Sequence, residues 1–266
     1  MDAGSITVNG GSLDFYTFGG GSRNLVILPG LGTRSVCYSA MSVAAGYGIF
    51  TEDYTVWVFD RRAQMPLDFS IREMAADVAA AMRELEIGDA DVFGASLGGM
   101  VAQYLAAEYP ELVHALVLGS TAARMNPVIL RIAAQWAEAA EKDRLGAFTE
   151  EMLRQLYSPA TLARFGSAVC RVNDGLTVTE RRRFAVQARA IIRLNTYDIL
   201  DRIRCPVLVI GVEGDRVVTA DASREIAEKL GCELYLYGTD YGHCVFDEAP
   251  DYRQRLLEFF RKSRGE

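Results

Sequence analysis

Short apolar runs alternate with longer segments of helical periodicity along this chain of 266 residues. Runs of strand-like composition lie at residues 25–28, 55–59, 91–93, 115–118, 206–210 and 233–237. A strand that is apolar on both faces must be covered on both faces, which is the usual situation of a strand in a parallel sheet. The alternation therefore predicts an α/β fold with a mostly parallel central sheet and helices on both of its faces.

Local signals mark the ends of several elements. Asn9-Gly10 separates two short β-like runs and predicts a hairpin. Residues 70–73, Ser-Ile-Arg-Glu, form a capping box that begins a helix, and Gly88 is expected to end that helix. Further helices are predicted at residues 97–108, from about 221 to 230 and from about 248 to 262.

One block of the chain departs from this alternation. Between about residues 123 and 199 there is no convincing strand-like run. Helix-like runs lie there at residues 130–140, 145–157, 159–169 and 179–194. A helical insertion between two strands of a parallel sheet is most simply a lid over one edge. We therefore predict a core of residues 1–122 and 200–266 and a helical cap of residues 123–199.

Charge and hydropathy narrow the classes of function. The formal net charge is -7, whereas a nucleic-acid-binding surface is basic. No apolar run approaches the length that spans a bilayer, and the N-terminal residues lack the pattern of a signal peptide. The sequence predicts a soluble cytoplasmic protein that binds neither nucleic acid nor membrane, and it leaves a homodimer open.

The five cysteines give no sign of a disulfide framework or a zinc site. Their number is odd, and no two of them form a Cys-x-x-Cys pair. Reduced thiols are the simpler interpretation. A zinc site needs three or four protein ligands at suitable spacing. We therefore expect neither a metal nor a cofactor.

Residues 94–99, Gly-Ala-Ser-Leu-Gly-Gly, stand between a predicted strand and a predicted helix. This is the context of the Gly-x-Ser-x-Gly nucleophile elbow, in which a sharp turn projects the serine above the sheet. A β-carbon at Gly94 or Gly98 would clash with the turn or with neighbouring strands. The alternative is a glycine-rich bend that only packs a helix onto a strand. The context favours Ser96 as a nucleophile.

A serine needs a base, and the chain contains only two histidines. His114 lies at the start of a predicted strand, whereas parallel-sheet active sites lie at the carboxyl ends of strands. It is therefore interpreted as a surface residue. His243 follows the last predicted strand and is the predicted base.

The third member of such a site is a carboxylate that holds the histidine in one tautomer. Asp215 follows the strand that ends at Ile210 and is the predicted acid. Glu213 and Asp240 remain alternatives. An oxyanion also needs preorganised donors. The backbone amides of Leu97 and of Leu31, in the Pro29–Gly32 loop, are the candidates.

Taken together, these residues resemble the α/β-hydrolase fold superfamily over about residues 5–262. The resemblance is carried by Pro29-Gly30-x-Gly32, Gly94-x-Ser96-x-Gly98-Gly99, Gly214-Asp215-x-x-Val218 and Gly242-His243. It implies a serine hydrolase with a helical cap. Many members carry Asp-x-Arg-Gly-x-Gly where this chain has Asp60-Arg61-Arg62-Ala63-Gln64, so nothing that depends on that loop is carried over.

The first functional hypothesis is an acyl hydrolase that cleaves esters or lactones of a small, fairly apolar substrate. Trp136, Met152 and Leu156 are predicted to bind this substrate. Other apolar cap residues with the same expectation are Ile129, Ile132 and Phe165, although most of the six are expected to be core. One alternative is a receptor-like relative with little turnover. Another is an aminopeptidase-type amide hydrolase, with Glu138, Glu141 or Glu151 binding the substrate amine.

Overall fold

The computed structural model describes residues 1–266, except for the side chains of residues 167 and 168. Eight strands form one sheet in the order β1-β2-β4-β3-β5-β6-β7-β8. The strands are β1 Asp2–Val8, β2 Gly11–Gly19, β3 Arg23–Leu28, β4 Tyr54–Phe59, β5 Ala90–Ala95, β6 Val113–Gly119, β7 Val207–Val212 and β8 Glu233–Tyr237. β2 pairs antiparallel with β1 and β4, and the other pairs are parallel.

Helices cover both faces of this sheet. They are α1 Ala40–Gly46, α2 Ile71–Glu84, α3 Leu97–Glu108, α4 Pro127–Glu141, α5 Leu145–Leu156, α6 Pro159–Phe165, α7 Val178–Ile192, α8 Ala220–Leu230, α9 Val245–Glu248 and α10 Tyr252–Ser263. Successive β5 residues, Val92 and Phe93, belong to different buried apolar clusters, as alternation along a strand requires. The predicted fold class is therefore confirmed.

The N-terminal hairpin forms where the sequence predicts it. Val8 pairs with Gly11 across the turn. Asn9 and Gly10 have φ of 48° and 76°. A tight hairpin turn needs positive φ at both central residues, and asparagine and glycine adopt it at the lowest cost.

The prediction that Gly88 ends the second helix is wrong. α2 ends at Glu84, and Glu86 takes the left-handed conformation with φ 55°. The amide of Glu86 donates to Arg83 O and that of Ile87 to Met82 O at 2.7 Å. This pair of bonds is a Schellman motif, which glycine usually provides. Burial of Ile87 stabilises it here.

The prediction that the last helix begins at residue 248 is also wrong. The short α9 ends at Glu248, and α10 begins at Tyr252. Pro250 lies between them, and a residue that precedes proline is disfavoured in the helical conformation. Ala249 accordingly has ψ 123°.

The chain between β6 and β7 is helical, with α4 packed along α7. The predicted helix of residues 159–169 is shorter than expected, because α6 ends at Phe165 and Gly166 has φ 66°. A 3-10 helix follows at Ser167–Arg171. Within the described part of the chain, no helix has the length and hydropathy needed to cross a bilayer.

Candidate active site

Ser96 lies in a strained turn at the carboxyl edge of the sheet, between β5 and α3. Its backbone has φ 52° and ψ -119°, which residues other than glycine rarely adopt. Its amide donates to Gly119 O at 2.8 Å, and Thr121 Oγ1 donates to its carbonyl at 2.7 Å. Strain that is held in place by surrounding bonds is characteristic of functional sites.

The glycines around Ser96 allow three chain segments to approach one another. A β-carbon at Gly98 would lie 1.8 Å from Leu28 O, at the end of β3. One at Gly94 would lie 2.6 Å from Gly98 O. Both distances are far below van der Waals contact, and both obstacles are backbone atoms. These two glycines are therefore required for the close approach of β3, β5 and α3.

The structure brings Ser96, His243 and Asp215 together in one chain of hydrogen bonds. Ser96 Oγ is 2.9 Å from His243 Nε2, and His243 Nδ1 is 2.8 Å from Asp215 Oδ2. The other carboxylate oxygen accepts from the amides of Val217 at 2.7 Å and Val218 at 2.9 Å. With its second oxygen fixed in this way, Asp215 can orient the imidazole toward Ser96.

The surroundings of Asp215 favour its ionised form. Burial by itself raises the pKa of this carboxyl. The charge of His243, its hydrogen bond and the two backbone donors outweigh burial and hold the pKa below its usual range. The histidine is 2% exposed, so a carboxylate beside it stabilises the imidazolium in a site that water hardly reaches.

The two rival carboxylates lie elsewhere. Glu213 pairs with Arg224 on the surface, where its side chain is 41% exposed. Asp240 is exposed. The other histidine, His114, lies at the amino end of β6, with Nδ1 3.2 Å from Asp89 Oδ1. The structure therefore brings none of these three into the hydrogen-bond chain.

The two residues predicted to supply oxyanion donors both lie close to Ser96. Leu97 begins α3 directly after Ser96, where helix amides lack intrahelical partners. Leu31 lies in the loop after β3 and lines the cavity. The preceding residue, Gly30, is close enough that a β-carbon on it would lie 3.4 Å from Ser96 Cβ.

A cavity of about 350 Å³ opens above Ser96 and His243. Trp136 and Met152, together with Leu156, line it from the helices between β6 and β7. Ile129 and Ile132 are buried in the core instead. Phe165 is exposed and packs edge-on against Tyr157. Three of the six apolar candidates therefore face the cavity.

The three glutamates proposed for an amine-binding subsite are outside this cavity, as far as its described lining goes. Glu138 pairs with Lys142, Glu141 with Arg189, and Glu151 accepts from Gln155. Cys244 does line the cavity beside His243. Burial raises the pKa of its thiol well above the usual value, which keeps it protonated and a poor nucleophile.

A buried polar cluster that was not predicted from the sequence lies behind the Pro29–Gly32 loop. Arg61 donates through Nη1 to Gly30 O at 3.2 Å and through Nη2 to Pro29 O. Asp60 accepts from the amide of Val36 at 3.1 Å and pairs with Arg183 of α7. The one available signal was the charged Asp60-Arg61-Arg62 run directly after a buried strand.

Comparison with known proteins agrees with this architecture. A family model described as the alpha/beta hydrolase family matches residues 25–252. The putative carbamate hydrolase RutD of Pseudomonas syringae is 29% identical over 221 residues, which cover 80% of this chain and 85% of that protein. The putative non-heme bromoperoxidase BpoC of Mycobacterium tuberculosis is 29% identical over 231 residues, which cover 82% of this chain and 84% of that protein.

Solved structures share the fold. The enol-lactonase from Burkholderia xenovorans LB400 superposes with a TM-score of 0.83 at 22% identity, and the match covers 97% of this chain and 100% of that chain. The family match, which extends over most of the chain, and the complete sheet lead to one conclusion. This chain belongs to the alpha/beta hydrolase family and is an enzyme of that family.

Proposed function

We propose that the protein is a serine hydrolase that cleaves a carboxylic ester or lactone of a small substrate through an acyl-enzyme. The observation that carries the proposal is the unbroken hydrogen-bond chain from Ser96 through His243 to Asp215, with spacings of 2.9 and 2.8 Å. Both ends of that chain are fixed by the backbone, and the serine opens into a cavity. This is the arrangement that nucleophile activation requires.

In the proposed reaction, Ser96 Oγ attacks the substrate carbonyl while His243 Nε2 accepts its proton. The tetrahedral oxyanion receives hydrogen bonds from the amides of Leu31 and Leu97. When the intermediate collapses, the C–O bond of the ester breaks and His243 returns the proton to the leaving alkoxide. Water then attacks the acyl-enzyme, His243 accepts a proton from it, and the carboxylic acid leaves as Ser96 regains its proton.

The cavity supports a compact substrate with an apolar part. Its volume of about 350 Å³ is at the small end of the range of ligand sites. Trp136, Met152 and Leu156 supply an apolar wall, and Trp136 Nε1 is already satisfied by Gln155 Oε1 at 2.8 Å. The names of the relatives differ in substrate, so the choice of an ester or lactone rests on the site.

The first test is turnover of a short p-nitrophenyl ester, together with labelling by a fluorophosphonate probe. Ser96→Ala is expected to lower the rate by about a million-fold and to abolish labelling. Ser39→Ala is the matched control, because Ser39 also lines the cavity but its hydroxyl donates to Val36 O at 3.1 Å. It should keep both turnover and labelling.

The receptor-like alternative predicts a different outcome of the same experiment. A receptor would bind ligands while the wild-type protein turned over no ester, lactone or thioester at a rate above that of Ser96→Ala. A probe adduct on any residue other than Ser96, located by mass spectrometry of the labelled peptide, would contradict the proposed nucleophile.

A further inference from the structure

Two buried arginines form part of the cavity wall beside the proposed nucleophile. Arg61 follows β4, whereas Arg183 lies in α7, and each is 7% exposed. Both line the cavity together with Ser96 and His243. One arginine lies in the loop after a strand of the sheet, and the other lies in the helices between β6 and β7. The pair therefore spans the junction where a substrate would lie.

Only part of this positive charge is neutralised. Asp60, also buried, pairs with Arg183 and accepts from the amide of Arg61 at 2.8 Å. Among the described side chains, Arg61 itself forms no ion pair, and its guanidinium donates to the backbone carbonyls of Gly30 and Pro29. Asp60 thus forms an ion pair with the guanidinium of Arg183 but not with that of Arg61.

Both arginines keep hydrogen-bond donors to spare. Nε of Arg183 is buried without a partner among the residues that the structure describes. Arg61 uses two of the five N–H donors of a guanidinium group on the two carbonyls. Buried polar groups are nearly always satisfied. The unused donors of Arg61, a residue that lines the cavity, are therefore the ones that a ligand could satisfy directly, whereas Nε of Arg183 is enclosed beside it.

The charge of Arg61 exceeds what its structural role needs. A neutral donor such as glutamine could hold the carbonyls of Pro29 and Gly30, whereas a buried cation costs several kcal/mol unless it is paired. Burial lowers the pKa of Arg61 to about 10, so the guanidinium remains charged at neutral pH. An anion in the cavity would recover this cost.

The other ionisable side chains of the cavity wall are engaged with other residues and do not neutralise Arg61. Arg34 is the third arginine of the lining and pairs with Glu180 at 3.4 Å. Asp247 is the lining carboxylate other than Asp60, among the residues described. It accepts from Tyr157 at 3.2 Å and lies 4.0 Å from Arg253, so it is engaged away from Arg61.

We propose that Arg61 and Arg183 bind a carboxylate carried by the substrate, so that the enzyme prefers half-esters of dicarboxylic acids, or lactones that bear a free carboxylate. The inference rests on the proposed function, because the carboxylate would lie in the same cavity as the bond that Ser96 attacks. Arginine suits this task, since its planar fork matches the two oxygens of a carboxylate.

The test compares two esters that differ in one terminal group, mono-p-nitrophenyl glutarate and p-nitrophenyl pentanoate. The wild-type enzyme is expected to have the higher kcat/KM for the glutarate ester. Arg183→Gln should lower that value by about 10- to 100-fold, the range for a lost hydrogen bond to a charged group. The value for the pentanoate ester should fall by a smaller factor, so that the ratio of the two kcat/KM values drops, and Arg183→Lys should recover part of that ratio.

Arg182→Gln is the matched control, since Arg182 is the exposed neighbour of Arg183 on α7, and both esters should keep their rates in it. Binding of glutarate to the Ser96→Ala variant, measured by calorimetry, tests the subsite without any turnover. A wild-type enzyme that hydrolyses both esters equally well, with no glutarate binding, would overturn the inference but leave the serine hydrolase intact. Glutarate binding without turnover of either ester would instead contradict the proposed function.

Discussion

The two edges of the sheet each hold a histidine beside an aspartate, and the two pairs differ in almost every physical respect. At the carboxyl edge, the side chains of His243 and Asp215 are 2% and 1% exposed. At the amino edge, those of His114 and Asp89 are 26% and 72% exposed. Only the first pair has a third partner that could react, Ser96.

Two buried aspartates extend the comparison. Asp91, at the amino edge, accepts from Tyr54 at 2.8 Å and pairs with Arg264 at 3.0 Å. Burial raises its pKa by more than Arg264 and Tyr54 lower it. Asp215 has two backbone donors as well as His243, and its pKa is lowered. The charge and hydrogen bond of His243, supported by the two backbone amides, thus outweigh burial at Asp215, whereas the partners of Asp91 do not outweigh it.

Substitution of each histidine tests this difference between the two edges and has the largest expected effect. His243→Ala is expected to lower ester turnover by about a million-fold, because nucleophile and base act as a unit. His114→Ala is expected to leave turnover within about threefold of the wild-type rate, because its ring lies beside Asp89 at the amino edge of the sheet, away from Ser96. Steady-state rates with a short p-nitrophenyl ester measure both. A comparable loss in His114→Ala would mean that the two edges are functionally coupled.

The aspartates provide the second test. Asp215→Asn should lower turnover by about ten-thousand-fold if the comparison with serine proteases holds, because an amide stabilises the wrong histidine tautomer. Asp91→Asn should instead leave turnover per folded molecule unchanged and lower the free energy of unfolding by about 1–3 kcal/mol. Urea denaturation and active-site titration separate these two effects.

Two surface carboxylates serve as controls for this assignment. Glu213→Gln and Asp240→Asn should both remain within about threefold of the wild-type rate, because Glu213 pairs with Arg224 and Asp240 is exposed. A large loss confined to Asp240→Asn would transfer the orienting role to that residue.

The sequence predicted those parts of the molecule that short-range patterns determine. Strands, the hairpin at Asn9-Gly10 and the bounds of α3 follow from periodicity and turn chemistry, which act over a few residues. The errors at Gly88 and at residue 248 have a different origin. In the first, tertiary burial of Ile87 ends α2 early. In the second, Pro250 keeps Ala249 out of the helical conformation, so the last helix begins only at Tyr252.

The cluster of Asp60, Arg61 and Arg183 could not be predicted in this way. Arg183 is far from Asp60 along the chain, and nothing near either residue indicates that they meet. Glu138 or Glu141 was an equally reasonable guess for a charged subsite, but the packing of α4 against α7 puts both outside the cavity. The charged run at residues 60–62 marks Asp60 and Arg61, but no local signal shows that Arg183 meets them.

The last test measures stability instead of turnover and concerns two glycines on opposite edges of the sheet. It asks whether backbone crowding is specific to the edge that holds Ser96. In Gly98→Ala, the new β-carbon would lie 1.8 Å from Leu28 O, so β3 and α3 must separate. We expect a loss of at least about 3 kcal/mol in the free energy of unfolding, at the upper end of overpacking effects.

Around Gly88, before β5, a β-carbon would meet nothing within 4 Å. Gly88→Ala should therefore be stable to within about 1 kcal/mol of wild type, or slightly more stable, because alanine restricts the unfolded chain. Urea unfolding measures both variants. If Gly98→Ala proved as stable as Gly88→Ala, the close approach of β3 to the helix after Ser96 would be dispensable, and the fixed position of the Pro29–Gly32 loop beside the nucleophile would need another explanation.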